Sequence, residues 1–424
     1  MTDRWWFPVT VLDAHTELLA SQALVPASPV VDLGRGLGPA WLDGWMGTHN
    51  RELVGWRRAL HARPELARDE HLSTALVASR LVEAGLEPQL LPGGTGLICD
   101  VGSGERCVAL RADLDALPLR EQTGLSFASG VDGVMHACGH DAHTAMLLGA
   151  GLALTQAPNL PGRVRLIFQP AEEVQPGGAT DMVEYGALEG VERIFALHCD
   201  PRLAVGQMGT RVGPITSACD LLEIRLTSPG GHTSRPHLSA DLVHGLGVLI
   251  TQLPSLLSRR VDPRSGTVLV WGAVEAGQAA NAIPQNGTLR GTLRTGDHGV
   301  WLEMEPLIRS LVTALLAPLG VGYVLDHQRG VPPVNNEPLS AGLLHDAAVT
   351  GLGVDAATST EQSSGGEDFA WYLETVPGAM GRLGVWSGEG PMKDLHQPTF
   401  DLDERALPVG VRVLVHAALA SLAA

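Results

Sequence analysis

Aromatic side chains are scarce in this sequence of 424 residues, at 4%, while apolar residues reach 45%, so the core must be mostly Ala, Val and Leu. Lysine is nearly missing as well. The basic residues are almost all arginine, and 29 Lys and Arg against 46 Asp and Glu leave a net charge of −17. A phosphate backbone needs clustered positive charge, so no nucleic-acid partner is expected. The charges are scattered rather than in runs, which predicts a solvated surface without an acidic tail. Met1-Thr-Asp-Arg-Trp-Trp6 lacks the apolar core of a signal peptide. No apolar stretch is long and clean enough to span a bilayer, so no membrane partner is expected. The longest uncharged run, 242–258, is broken by Gly245, Gly247 and Pro254 and reads as an amphipathic helix. Cysteine is limited to Cys99, Cys107, Cys138, Cys199 and Cys219, an odd and widely spaced set. That usage predicts reduced thiols and a cytoplasmic protein rather than a disulfide framework.

What is present is a dense run of metal-ligand side chains, Met135-His-Ala-Cys-Gly-His-Asp-Ala-His-Thr144, leading into an apolar small-residue stretch that reads as a helix over about 142–155. Thiolate, imidazole and carboxylate bind transition metals. Gly139 allows a tight backbone fold, so Cys138 and His140 can converge. A nearby helix start favours a thiolate. An isolated Cys beside a His is ordinarily a buried thiol and a core histidine, but this clustering is too tight for that, and other segments must supply further ligands.

The length predicts two or three domains. Residues 1–45, rich in Trp, Pro and Gly, read as an irregular arm. An Arg-rich helix follows over about 45–61, and another ends at Gly85. Runs 97–101 and 108–111 read as adjacent strands joined by a turn. The second delivers Asp113 and Asp115 to a strand end, where ligands bind in an open α/β sheet. Strand 164–168 ends in Gln169-Pro-Ala-Glu-Glu173, and strand 194–197 ends in His198. Buried strand, polar end residue, then helix is the signature of a doubly wound, mostly parallel α/β sheet, assigned here to 46–214 and 327–424. Between them, 215–326 reads as an inserted α+β domain of two helices on an antiparallel sheet.

Glu172 and Glu173 follow a buried strand. In an extended segment adjacent side chains face opposite sides, which suits one metal ligand and one free carboxylate. The free one could act as general base on a water whose pKa the metal lowers. As an isolated pair, Glu-Glu is usually only solvated. His198 and His396 would likewise pass for a core and a loop histidine. Four or five such groups on one sheet edge would complete a two-metal site.

Six ordered motifs then carry a resemblance: His61-Ala-Arg-Pro-Glu-Leu66, Arg111-Ala-Asp-Leu-Asp-Ala-Leu-Pro118, the 135–144 run, Phe168-Gln-Pro-Ala-Glu-Glu173, Gly230-Gly-His-Thr-Ser234 and Gly365-Gly-Glu-Asp-Phe369. From about residue 50 to the C-terminus the chain resembles the metal-dependent amidohydrolases related to aminoacylase, hippurate hydrolase and the indoleacetyl-amino-acid hydrolases, within the aminoacylase and carboxypeptidase metallopeptidase group. The resemblance implies two divalent ions per subunit (zinc, manganese, cobalt or nickel) held by Cys138, His140, Glu173, His198 and His396, with Cys138 a candidate bridge. It implies Glu172 as general base and Asp113 as the residue orienting a ligand histidine. It implies His232 as the oxyanion donor, within its own subunit or across a homodimer formed by the inserted lid domain. Asn281 and Arg294 fall where the substrate carboxylate is held, and an arginine fork also suits a carboxylate on its own merits. The implied substrate is a small N-acyl or N-aroyl amino acid.

His136 is expected behind the ligands and His143 in helix packing. Cys99, Cys107, Cys199 and Cys219 are expected as small buried residues, and His237 as either a site or a loop residue. The leading arm, Ala142, Gly366 and Gln397 depart from the family pattern without touching a ligand. The competing readings are a peptide-cleaving metallo-carboxypeptidase or dipeptidase, a Cys138-nucleophile enzyme and a non-catalytic metal-binding homologue.

Overall fold

The computed structural model describes residues 7–8 and 37–424. Most of the arm expected over 1–45 lies outside the described residues. Phe7–Pro8 is a short strand pairing with Gln89–Leu90, and the first described helix, Ala40–Ala62, already begins within the expected arm. The chain divides into two compact units. The first is drawn from Met1–Gly213, Asn336–Glu361 and Trp371–Ala424, the second from Pro214–Asn335 and Gln362–Ala370.

The first unit is built on a nine-stranded sheet. Its order is Phe7–Pro8, Gln89–Leu90, Leu97–Gly102, Arg163–Gln169, Cys107–Asp113, Arg193–Ala204, Gly378–Trp386, Met208–Thr210, Ala357–Ser359. The four central strands from Arg163–Gln169 to Gly378–Trp386 run parallel to one another. Cys107–Asp113 is buried at all its positions, as a strand covered on both sides must be. One expectation is corrected. Leu97–Gly102 and Cys107–Asp113 are not neighbours, because Arg163–Gln169 lies between them, antiparallel to the first and parallel to the second. Two consecutive apolar runs with a Gly-rich turn imitate a hairpin, and the continuous burial of the second is what marks it as a central strand.

Helices Ala40–Ala62, His140–Leu154, Pro338–Leu352 and Ala406–Ala423 share one core with this sheet, including Leu53, Leu110, Met146, Phe168, Leu344 and Val411. The small residues of His140–Leu154 are what permit its close approach. A Cβ at Gly151 would lie 2.2 Å from Leu166, and one at Gly149 would lie 2.9 Å from both Leu53 and Val411. One stretch bears on the expectation that none spans a bilayer. By length and composition alone, Ala406–Ala423 is long and apolar enough, although 78% of that window is buried in the fold. Its Arg412 is anchored on Asp43 at 2.6 Å and on the Leu37 carbonyl, as a core helix carrying a paired charge requires.

The second unit is a four-stranded antiparallel sheet, ordered Val268–Ala276, Asn286–Thr295, Ala218–Thr227, Gly322–Val331. Alternation in Ala218–Thr227 turns Leu222, Ile224 and Leu226 onto one face, against helices Leu242–Leu257 and His298–Leu316. Asp241 and Asp297 cap these helices by accepting the His244 and Val300 N–H groups. Residue 326, the expected edge of the insert, falls inside strand Gly322–Val331.

Candidate metal centre

Four chain segments supply the candidate ligands: Cys138 and His140 at the start of helix His140–Leu154, Glu173 just beyond strand Arg163–Gln169, His198 inside strand Arg193–Ala204 rather than at its end as expected, and His396. Cys107–Asp113 ends in Asp113 with Asp115 just beyond, and Arg163–Gln169 runs into Glu172 and Glu173. The pairing of Cys107–Asp113 with Arg193–Ala204 stops at Arg111 and Ala196, just short of His198. Helix His140–Leu154 begins beside them, after Gly139 at φ +89°. A Cβ at Gly139 would lie 3.0 Å from the Cys199 sulfur, so both conformation and space require glycine there.

The donors fall into two groups, Cys138–His140–His198 and Cys138–Glu173–His396, each with its ligand atoms within 4.8 Å of one another. Cys138 belongs to both. His140 donates Nδ1–H to the Asp115 carbonyl at 2.9 Å, and His198 donates Nδ1–H to the Cys199 carbonyl at 2.8 Å. Each therefore turns Nε2 toward the site, the nitrogen a metal would take in place of a proton. His140 Nε2 is buried without a hydrogen-bond partner. It lies 3.8 Å from Glu173 Oε1 and 4.0 Å from Glu172 Oε2. His396, backbone φ +60°, reaches Glu173 with Nε2 at 3.3 Å. A buried imidazole nitrogen without a hydrogen-bond partner among carboxylates, with a thiol shared between two donor groups, fits a pair of divalent cations.

Without ions, His140 and Cys138 keep protons that metal binding would displace. Burial opposes a charge on His140, yet the Asp113 carboxylate and Cys138 hold its pKa well above the usual range. Burial, aided by Arg382, keeps His198 neutral by pulling its pKa well down. Burial and then Glu173 push the Cys138 thiol well up.

Glu172 and Glu173 do not face opposite sides. Both carboxylates approach the same imidazole nitrogen, at 4.0 and 3.8 Å, and the backbone turns just before them, with Ala171 at φ +56°. Asp113 accepts from His143 Nδ1 at 2.7 Å and from Arg111 at 2.7 Å, and lies 3.8 Å from His140 Nε2. His143, whose Nε2 accepts the Cys199 N–H at 2.9 Å, is thus a bonded link between strand ends rather than packing filler. Asp115 is the residue that sequence reasoning undervalued. Its carbonyl orients His140, and its carboxylate accepts the N–H groups of Glu172 (3.0 Å) and Glu173 (2.9 Å). The Asp-Leu-Asp spacing at a strand end was the available signal.

Behind the ligands lies a buried charge network. Arg57 and His61 Nδ1 both contact Asp141 Oδ2 at 2.8 Å, Arg57 also meets Glu404 at 3.3 Å, and His61 Nε2 meets Glu121 at 3.2 Å. His136 is buried here, its pKa pulled down to about 4 by desolvation. Cys99, Cys107, Cys138 and Cys199 are buried free thiols, and Cys219 is a half-buried one.

His232, Asn281 and Arg294 belong to the second unit. His232 is exposed on a two-residue strand paired with Ala282–Ile283, and the Asn281 carbonyl accepts the Thr233 N–H at 3.2 Å. His232 Nδ1 accepts the Ser234 N–H at 3.1 Å, which places the ring proton on Nε2. Arg294 donates to the Ser364 carbonyl at 2.6 Å. His237 sits on an exposed single turn.

Clustered Cys, His and Glu donors beside a mostly parallel sheet fit a metal-binding hydrolase class. The chain belongs to peptidase family M20/M25/M40, whose profile matches residues 109–420. It is 38% identical over 367 residues to the N-acetyl-L-cysteine deacetylase of Bacillus subtilis (strain 168), covering 85% of this chain and 86% of that one. A Rhodococcus jostii protein bearing a glutamate–cysteine ligase name is 58% identical over 367 residues. The match covers 86% of this chain but only 46% of that protein. Among solved structures, a Bacillus subtilis protein described as a dinuclear metal binding peptidase superposes with a TM-score of 0.77 at 34% identity, covering 89% of this chain and 99% of the other.

Proposed function

We propose that this chain hydrolyses the amide bond of N-acyl amino acids with two divalent ions held by Cys138, His140, Glu173, His198 and His396. The observation that carries this reading is the pair of donor groups sharing Cys138, with the Glu172 carboxylate beside them. When bound, such ions polarise the scissile carbonyl and lower the pKa of water. Glu172 takes the proton of the attacking water and returns it to the leaving nitrogen. Asp113 and Asp115 hold the imidazoles in register from behind. His232, with its proton on Nε2, is suited to donate to the tetrahedral oxyanion. Asn281 and the planar fork of Arg294 would receive the substrate carboxylate.

A short acyl group is placed first, because a similar protein is named for deacetylating N-acetyl-L-cysteine. The metal is assigned to the zinc, manganese, cobalt and nickel set, which Cys, His and Glu together admit. A homodimer through the second unit is part of the proposal. The Val268–Ala276 edge strand leaves Val268, Val270 and Val274 exposed, and a second copy would cover such an edge. Five free thiols fit a reducing cytoplasm.

The test is amine release from N-acetyl, N-benzoyl and indoleacetyl amino acids and from dipeptides, on chelated protein and after each metal is restored. Turnover of acyl amino acids only with metal is expected. Preference for dipeptides would move the assignment to the peptidase reading. Two bound ions with no turnover would favour a non-catalytic homologue.

A further inference from the structure

For Glu172 and Glu173 to approach His140, the backbone must turn as it leaves strand Arg163–Gln169. Ala171 does so at φ +56°, a left-handed conformation that a residue with a Cβ avoids unless held. Its carbonyl accepts the Gly178 N–H at 2.9 Å. Its own N–H donates to Glu70 Oε1 at 2.8 Å, across a separation of 101 residues. Glu70 is fully buried and stands at the N-cap of helix His71–Glu83, yet its side chain caps nothing. Glu65 does that work instead, accepting the Leu72 and Ser73 N–H groups at 2.9 and 2.8 Å. The same Glu70 oxygen accepts the N–H of Arg68, another residue at positive φ (+69°). A buried acid relieved of capping and aimed at a strained backbone N–H has a purpose beyond its own helix.

We propose that Glu70 is a positioning residue. It holds Ala171 left-handed through a backbone N–H, and this turns Glu172 and Glu173 together toward His140. Glu70 touches no reacting group. It needs only an acceptor oxygen at Oε1, so glutamine should replace it and alanine should not. The inference rests on the reading of Glu172 as base and Glu173 as ligand, but only one of its two measurable consequences does.

The first measurement is amide hydrogen exchange on the metal-free chain, which requires no activity. Glu70→Ala should speed exchange of the 171–174 amides at least tenfold, while Glu70→Gln stays near wild type. Unchanged exchange in Glu70→Ala overturns the proposal. The second is kinetics on the metal-loaded enzyme. Glu70→Ala should lower kcat at least tenfold with KM within threefold, and Glu70→Gln should remain within threefold of wild type. Adding Ala171→Gly to Glu70→Ala should recover much of the loss, because glycine accepts positive φ without penalty. A general packing defect would not be rescued that way, so absence of rescue overturns the proposal. If Glu70→Ala fails to fold, Glu70→Gln decides: loss of activity at unchanged melting temperature would mean that charge, not the acceptor, is needed. If wild type turns over no substrate, exchange still tests the positioning role while the functional reading fails separately.

Discussion

Glu172 and Glu173 differ by one position, yet the structure gives them different company. Glu173 lies 3.3 Å from His396, whereas the nearest imidazole to Glu172 is His140 at 4.0 Å. The base role proposed for Glu172 rests on that difference. Glu172→Gln should keep both ions, measured by metal analysis, and lose turnover by about 10²–10⁴-fold, the usual contribution of a general base. Retained turnover would remove the assignment. Glu121 supports a prediction of a different kind. Burial pushes its carboxyl up, but hydrogen bonds from His61, Thr123 and the Ser129 N–H outweigh that and hold it at about 2 against a usual 4.5. Its folded pKa is depressed, so its contribution is present above pH 4.5 and is lost as pH falls toward 2. The stability gap between wild type and Glu121→Gln, read by urea unfolding, should be fully present between pH 4.5 and the range in which His61, raised above 6.5, loses its proton, and should shrink as pH falls from 4.5 toward 2. A gap that widens in acid would contradict the sign.

At the scale of elements, helix His140–Leu154 is the part of the site most exposed to error. It is buried nearly all round, and its first turn carries His140 and Asp141. Asp141 is buried, and Arg57 from helix Ala40–Ala62 supplies its compensating charge, with His61 as second partner. Arg57→Met fits the stem but leaves the aspartate without that cation, and breaking a buried pair this way costs about 3–5 kcal/mol. The melting temperature should fall accordingly, and the affinity for metal should drop with it, since Asp141 fixes the turn that presents His140. A variant with unchanged stability would show that His61 alone balances the charge. The helix itself was legible in the sequence from its small apolar run, and the 135–144 cluster stood out. The Arg57–Asp141 link was not, because 84 residues separate the partners and an Arg-rich helix reads as a solvated one. The false hairpin at 97–111 failed for a related reason: local pattern marks a strand but not its neighbour.

For the whole molecule, the layered α/β plan and the separate antiparallel unit were legible in the change from continuous to alternating apolar strands, a difference set by whether one face or both are covered. What was not legible is how the ligands meet. His396 depends on a positive-φ turn whose N–H donates to Ala137, and no periodicity encodes that. The two units also have separate hydrophobic cores, and all five candidate ligands lie in the first. Ions that bind only the folded site stabilise it by mass action, by ~4 kcal/mol at a thousandfold excess over Kd. Removing them also leaves the buried carboxylates of Asp113 and Asp115 without a nearby cationic counterweight beyond Arg111 and the imidazoles. Chelation should therefore lower the calorimetric transition of the first unit by several degrees and leave that of the second in place, splitting the thermogram. Restoring zinc or manganese should rejoin the two. If both transitions fell together, the units would unfold as one cooperative body, and the metal's stabilisation would extend across the whole chain.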